Sequence, residues 1–473
     1  MKEVNFRGVI IGVVLFIWIL ILPVPTGMEM SAWYMLAIAV LMATWWITDA
    51  IDQCITALLP IVLFPMFGII PLDKVTNAYA SDTIYLFLGG FMLALAMQKA
   101  NLQRRIALKI INYMGVKPEK LILGFMLVGY LISMWMSNTA AALMITPLAI
   151  TILSEYVEPV AKSSMKASRF GKALLLAVAY SVSIGGVATL VGTPANIIFA
   201  SVLQKMTGTE ITFASWFVFA TPISLVLLFA AWYVLTHLIF RFKNLDLEIK
   251  PDLVAAELQK LGKMSKREKR VLWVFGVVVF LWMFRGLIDL PAFKLFNDTT
   301  VALVGAISLF IIPSGNAEKS PLLDRSAIKE IPWNILLLFG GGIALASGFS
   351  VSGLGDVISG AMSIASGVDK SLLLCLLPAT VIFLTEFMSN TAIATLMIPV
   401  VISIASAMHI PPEVLAAPAT IAVSLAFMLP VSTPPNAIVY SYNRISAQDM
   451  VQVGFILSII SLIIVSVASI IMY

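Results

Sequence analysis

Apolar runs cut by short polar breaks fill nearly the whole chain. They fall at about 8–25, 32–48, 53–70, 83–98, 121–157, 173–201, 214–240, 271–288, 299–312, 334–350, 371–410, 414–443 and 451–473. Runs of this length predict helices that cross a bilayer, since about 20 residues span a hydrocarbon core of about 30 Å. The first run follows Lys2 and Arg7 and ends at Val24-Pro25-Thr26, without a small-x-small cleavage pattern, so it reads as a span and not as a leader. Two runs are interrupted at their centres by polar residues. Ser137-Asn138-Thr139 divides 121–157, and Ser389-Asn390-Thr391 divides 371–410. The arms on either side of Ser137-Asn138-Thr139 are about 16–18 residues, marginal for a crossing. A re-entrant helical hairpin with the triplet at its tip is therefore expected in each half.

The halves repeat. At an offset of 252 residues, Phe87, Gly89, Gly90, Leu93 and Ala94 recur as Phe339, Gly341, Gly342, Leu345 and Ala346. Ser133 matches Thr385, and Pro147 matches Pro399. Further on the offset is 240, and Thr193-Pro194 with Asn196 recurs as Thr433-Pro434 with Asn436. These Thr-Pro breaks divide the runs 173–201 and 414–443. Five crossings separate the two hairpins, an odd number, so the repeats are inverted. Inverted repeats with interrupted helices are the pattern of secondary transporters, which bind solute near the midplane between the repeats.

Charge supports that topology. Only 12% of the 473 residues are charged and 60% are hydrophobic, where a soluble domain carries about 25% charge. The basic residues cluster between the runs. Lys99, Arg104, Arg105, Lys109, Lys117 and Lys120 precede the first hairpin, and Lys162, Lys166, Arg169 and Lys172 follow it. They read as cytoplasmic loop signals and not as a nucleic-acid surface. Residues 241–270, the most polar stretch, read as a cytoplasmic linker between the halves. The expected organisation is 1–120, scaffold helices of the first repeat; 121–240, the first hairpin and broken helix of a transport part; 241–270, the linker; 271–370, scaffold helices of the second repeat; and 371–473, the second hairpin and broken helix. The protein is expected in the plasma (inner) membrane with a cytoplasmic N-terminus.

The chemistry follows from helix ends. A hairpin tip at membrane depth presents free N–H groups and a positive dipole end where its second helix begins, just after each triplet. Thr193-Pro194 and Thr433-Pro434 add two more helix starts, with proline suited to the first turn. Four ends at about +0.5 charge each suit a small dianion. Ser, Asn and Thr side chains add neutral donors for carboxylate oxygens. Exposed carbonyls at the breaks suit a hard monovalent cation such as Na+. No Lys or Arg lies between Leu121 and Ala161 or between Ser371 and Asn443, so the remaining compensation falls to bound cations. That favours symport with Na+ and leaves dianion exchange open.

The duplicated Ser-Asn-Thr, each followed by a Thr-Pro-x-Asn break, resembles the divalent anion/sodium symporter family, the INDY-like dicarboxylate carriers. The resemblance covers essentially the whole chain. It implies an all-α polytopic membrane protein of about eleven transmembrane helices plus two re-entrant hairpins, a homodimer in the lipid bilayer, and elevator-type motion. It implies substrate contacts at Ser137, Asn138, Thr139, Ser389, Asn390, Thr391, Thr193, Thr433 and Pro434. One sodium site would use Ser133, Ser137, Asn138 and Gly192, the other Thr385, Met388, Asn390 and Ser432. Ala195 departs from the pattern, where the second half has Pro435. The implied activity is Na+-coupled transport of succinate, malate or 2-oxoglutarate, with sodium-independent exchange as the alternative within the family. No cofactor beyond the coupling ion is expected.

Blander readings stand beside these. The triplets could simply cap helices, and the Thr-Pro breaks could be kinks. Glu386 reads as a structural acid paired elsewhere, with Met134 in its place in the first half. Arg285 and Asp289 read as a local pair, and His237 and His409 as residues near span ends. Gly89-Gly90 and Gly340-Gly341-Gly342 read as close-packing sites. No P-loop lysine follows them, so an ATP-driven pump is unsupported. Cys54 and Cys375 read as packed thiols. An intramembrane enzyme would need a nucleophile–base pair or metal cluster at depth, and the chain has no His-Glu-x-x-His; no catalytic residue is assigned. A channel would not need duplicated broken helices.

Overall fold

The computed structural model describes residues 4–115, 117–154, 165–241, 252–285, 296–315, 320–363 and 369–472, and among them the chain is helical and without strands. The first half contains α1 (Phe6–Ile21), α2 (Met30–Ile47), α3 (Gln53–Thr56), α4 (Leu59–Met66), α5 (Leu72–Ala78), α6 (Asp82–Lys99) and α7 (Leu102–Met114). The hairpin α8 (Pro118–Ser133) and α9 (Asn138–Ile152) follows, then the broken pair α10 (Met165–Val187) and α11 (Pro194–Thr207), then α12 (Phe213–Tyr233). The last extends as a π-helical turn over Val234–Ile239. The linker carries α13 (Asp252–Lys260). The second half contains α14 (Lys266–Phe284), α15 (Asp298–Ile311), α16 (Ser326–Glu330), α17 (Trp333–Val351) and α18 (Leu354–Ser363). Its hairpin is α19 (Lys370–Thr385) and α20 (Asn390–Ala407), its broken pair α21 (Pro412–Val423) and α22 (Pro434–Ser441), and α23 (Ala447–Met472) closes the chain.

Seven of these segments are long and apolar enough to cross a membrane, and six shorter apolar helical segments accompany them. The run expected as one span over 53–70 is instead two short helices. Pro60, at the start of α4, has no N–H to continue the ladder from α3. In the first hairpin the arms have 16 and 15 residues, about 24 and 22 Å of helix, too short for a hydrocarbon core of about 30 Å. In the second, the return arm α20 reaches 18 residues and is long enough by itself to count as a span. The return helices begin at Asn138 and Asn390, inside the triplets and two residues earlier than a start just after Thr139 and Thr391 would require.

Glycines let the elements approach. A Cβ on Gly89 would lie 2.7 Å from Ala302 Cβ, and one on Gly341 would lie 2.5 Å from the Ala57 carbonyl oxygen. The expected packing role of these motifs holds. Gly185 likewise meets the Tyr130 backbone, holding α10 against α8. The halves interlock: α9 packs on α22, and α20 packs on α11.

At the linker, Arg105 is buried and bonds Glu268 at 2.5 and 3.2 Å, and it also donates to the carbonyls of Leu261 and Gly262. Arg285 pairs with Asp298 at 2.9 Å, a partner its sequence spacing did not suggest. Asp298 heads α15 and also accepts from the Phe213 N–H at 2.7 Å, so it is a buried anchor for the cation. Asp289, together with Lys162, Lys243 and Lys250, lies outside the described residues.

Candidate functional site

Each hairpin tip is organised by a hydroxyl one turn before its asparagine. Ser133 Oγ donates to Asn138 Oδ1 at 2.6 Å, and Thr385 Oγ1 donates to Asn390 Oδ1 at 2.7 Å. Ser133 and Thr385 are fully buried, whereas all six triplet residues are half-buried and reachable. The side chains of Thr139 and Thr391 make no hydrogen bond among the described residues. Ser137 caps α9, its Oγ accepting from Ala140 N–H at 3.3 Å; Ser389 makes no such bond to α20. The capping reading is thus realised at one tip only.

The Thr-Pro breaks bring backbone oxygens toward the tips. After α10 the chain unwinds until Pro194 opens α11, and after α21 until Pro434 opens α22. An asparagine stitches each gap. Asn196 Nδ2 donates to the carbonyls of Gly186, Val187 and Thr189 at 3.1, 3.2 and 2.7 Å. Asn436 Nδ2 donates to the carbonyls of Ala426 and Leu429 at 3.2 and 3.1 Å and to Ser432 Oγ at 3.1 Å. Gly186 and Thr189 correspond to Ala426 and Leu429 at the 240-residue offset, so the stitch is duplicated. Thr193 and Thr433 are buried N-caps, while Pro434 is exposed.

In the first half the residues expected to hold a cation come together. A Cβ on Gly186 would lie 2.4 Å from Asn138 Oδ1, and one on Gly192 would lie 2.4 Å from the Gly186 carbonyl oxygen. Ser133, Asn138, Gly186 and Gly192 therefore form one contact chain. In the second half, Thr385 bonds Asn390 and also the Val423 carbonyl at 2.8 Å, and Ser432 lies on the stitched break. Met388 is half-buried against the apolar core and forms no hydrogen bond with that set among the described residues. The donors are hydroxyl, amide and carbonyl oxygens, the chemistry of a hard cation. Asn196 Oδ1 and Asn436 Oδ1 are buried acceptors without a partner among the described residues. No group of His, Cys, Asp and Glu suited to a transition metal occurs among the described residues.

Glu386 is buried and is satisfied by backbone, not by a base. Its carboxylate accepts from Phe427 N–H at 2.7 Å, from Met428 at 3.0 and 3.1 Å, and from Leu429 at 3.1 Å. It ties the second tip to the break that carries Ser432. In the first half the tie runs the other way, from Thr189 Oγ1 to the carbonyl oxygen of Met134. Nothing local in the sequence marked Glu386 for this role; its one signal was the mismatch with Met134.

Interrupted helices, duplicated hairpin tips and oxygen-lined breaks are the architecture of a membrane carrier. The chain belongs to the sodium:sulfate symporter transmembrane-region family, whose model matches residues 3–473. The sodium-dependent dicarboxylate transporter SdcS of Staphylococcus saprophyticus is 39% identical over 464 residues, covering 97% of this chain and 89% of that protein. SdcS of Staphylococcus aureus strain USA300 is 40% identical over 467 residues with the same coverage. The crystal structure of the Alcanivorax borkumensis YdaH transporter is similar in fold, with a TM-score of 0.58 at 14% identity, over 97% of this chain and 98% of that one.

Proposed function

We propose that this protein is a secondary active transporter that carries C4 and C5 dicarboxylates, such as succinate, malate and 2-oxoglutarate, together with Na+. The observation that carries the reading is the repeated hydroxyl-to-amide contact, Ser133–Asn138 and Thr385–Asn390, beside a helix start in each half. Identity of about 40% over nearly the full chain to sodium-dependent dicarboxylate transporters supports it.

In this reading Ser137, Asn138, Thr139 and Ser389, Asn390, Thr391 bind the dianion, with Thr193, Thr433 and Pro434 at its margin. The positive ends of α9, α11, α20 and α22 compensate its charge. Na+ is held by Ser133, Ser137, Asn138 and Gly192 in one half and by Thr385, Met388, Asn390 and Ser432 in the other. Segments 121–240 and 371–473 move as the transport part against scaffold helices in 1–120 and 271–370, by an elevator-type exchange within a homodimer. The protein sits in the plasma membrane with its N-terminus in the cytoplasm. With more than two Na+ per dianion, each net positive charge entering gains about 2.3 kcal/mol per 100 mV of inward-negative potential.

Proteoliposomes loaded by an inward Na+ gradient test this directly. Succinate uptake is expected to be saturable, to collapse when choline replaces Na+, and to be lost in Asn138→Ala and Asn390→Ala while both variants keep the elution profile of the wild type. Near-wild-type uptake in both variants would refute the site. Undiminished uptake in choline that requires internal dicarboxylate would establish exchange in place of symport.

A further inference from the structure

Ser389 is the one triplet hydroxyl bonded to a residue far outside its own repeat. Its Oγ donates to Gln53 Oε1 at 3.2 Å, across 336 positions of sequence. Gln53 opens α3, which is firmly placed. Its carbonyl accepts from Trp46 Nε1 at 3.1 Å, and four residues beyond it Ala57 is clasped by Gly341 and accepts from the Tyr79 hydroxyl. The Gln53 Nε2 has no partner among the described residues. The residue 252 positions on is Gly305, without a side chain to offer Ser137. Ser137 caps its own helix instead.

A hydroxyl has one proton to give, and a carboxylate only accepts. Ser389 can donate to Gln53 or to a bound carboxylate, not to both. We infer that Gln53 is a positioning residue of the second half-site, one that holds the Ser389 hydroxyl while no dianion is bound and gives it up when a carboxylate arrives. The inference rests on the assignment of Ser389 to the dianion site. Gln53 thereby ties the second tip to α3 only in the substrate-free protein, and the arrival of the dianion releases that tie. This biases the substrate-free carrier against moving with Na+ alone.

The test is the dicarboxylate KM at saturating Na+ in proteoliposomes, with Na+ flux measured in the absence of dicarboxylate. Gln53→Ala and Gln53→Met, the latter similar in length but without hydrogen-bonding groups, are compared with the wild type, and Gln53→Met serves if the alanine variant does not fold. Losing one competing neutral hydrogen bond lowers KM about three- to tenfold and raises substrate-free Na+ flux. In a Ser389→Ala background the same Gln53 changes leave KM where Ser389→Ala alone puts it. An unchanged or raised KM, or an equal fall with and without Ser389, overturns the role. Absence of Na+-dependent uptake in the wild type would instead strike the transport assignment, and Ser389→Ala with wild-type KM would strike the site.

Discussion

At the first hairpin tip, Ser137 caps its own helix, Trp135 lies edge-on to Phe275 at 4.9 Å and stacked on Phe213 at 5.9 Å, and Gly186 brings the chain against Asn138. At the second tip, Ser389 leaves its helix uncapped and reaches Gln53, Phe387 is 63% exposed beside Phe383, and a buried carboxylate takes the place of Met134. The hydroxyl-to-amide contact is duplicated and its supports are not. Each tip has an asparagine held by a hydroxyl. The first tip is fixed by aromatic packing, close backbone approach and a hydroxyl tie from Thr189 to the Met134 carbonyl, the second by a carboxylate that takes three N–H groups of the neighbouring break. The two tips thus carry the same contact on mounts of different make.

The largest expected effects test the shared chemistry. Loss of uptake in both Asn138→Ala and Asn390→Ala supports two required contacts; survival of either variant breaks the symmetry of the site. Next is Gly186→Ala. Its Cβ would fall 2.4 Å from Asn138 Oδ1, so uptake should fall by about tenfold or more, the loss of roughly 1.4 kcal/mol or more. The reciprocal Ala426→Gly, at the equivalent position, should leave uptake within about twofold. Equal effects of the two would show that the close approach is not particular to the first half.

Stability measurements in detergent sharpen the difference in mounts. Glu386→Ala leaves the buried Phe427 N–H and the half-buried N–H groups of Met428 and Leu429 unpartnered, the buried one alone costing about 1–3 kcal/mol, and should markedly lower the thermal midpoint. Met134→Leu, the volume-conserving change at the equivalent place, should cost less than about 1.5 kcal/mol. A Glu386→Ala variant as stable as the wild type would sink the idea that the carboxylate secures the second tip. The smallest expected contrast is aromatic. Trp135→Ala should destabilise by about 2 kcal/mol through lost packing, and Phe387→Ala should stay within about 0.5 kcal/mol. Equal shifts would show that the two tips are anchored alike.

Much of this was legible beforehand. The Ser-Asn-Thr triplets stand out because polar residues are costly in an apolar run, and their helices start within two residues of the place the triplets predicted. The Thr-Pro breaks are where expected, since proline removes the N–H that a continuous helix would need. The Gly-Gly pairs pack closely, as their composition suggested. Asp298 gave no local sign as a partner of Arg285, because 13 positions separate them. Gly186 gave no sign of being the neighbour of Asn138. Gln53 gave no signal, since one glutamine at a helix start is ordinary.

The sequence by itself determined the all-helical membrane class, the duplicated halves, the hairpin tips and the residue types that line them. These follow from local physics: the length an apolar helix needs, the polarity it tolerates, and the residues that start or stop it. Tertiary structure alone decided which oxygens meet. It set α9 against α22 and α20 against α11, so that the return arm of each hairpin rests on the broken helix of the opposite half. It turned Glu386 onto the N–H groups of Phe427, Met428 and Leu429, and it brought Gln53 to Ser389. Such contacts join positions tens to hundreds of residues apart. No local pattern records them, because they depend on how whole helices pack and on which backbone groups each break leaves free.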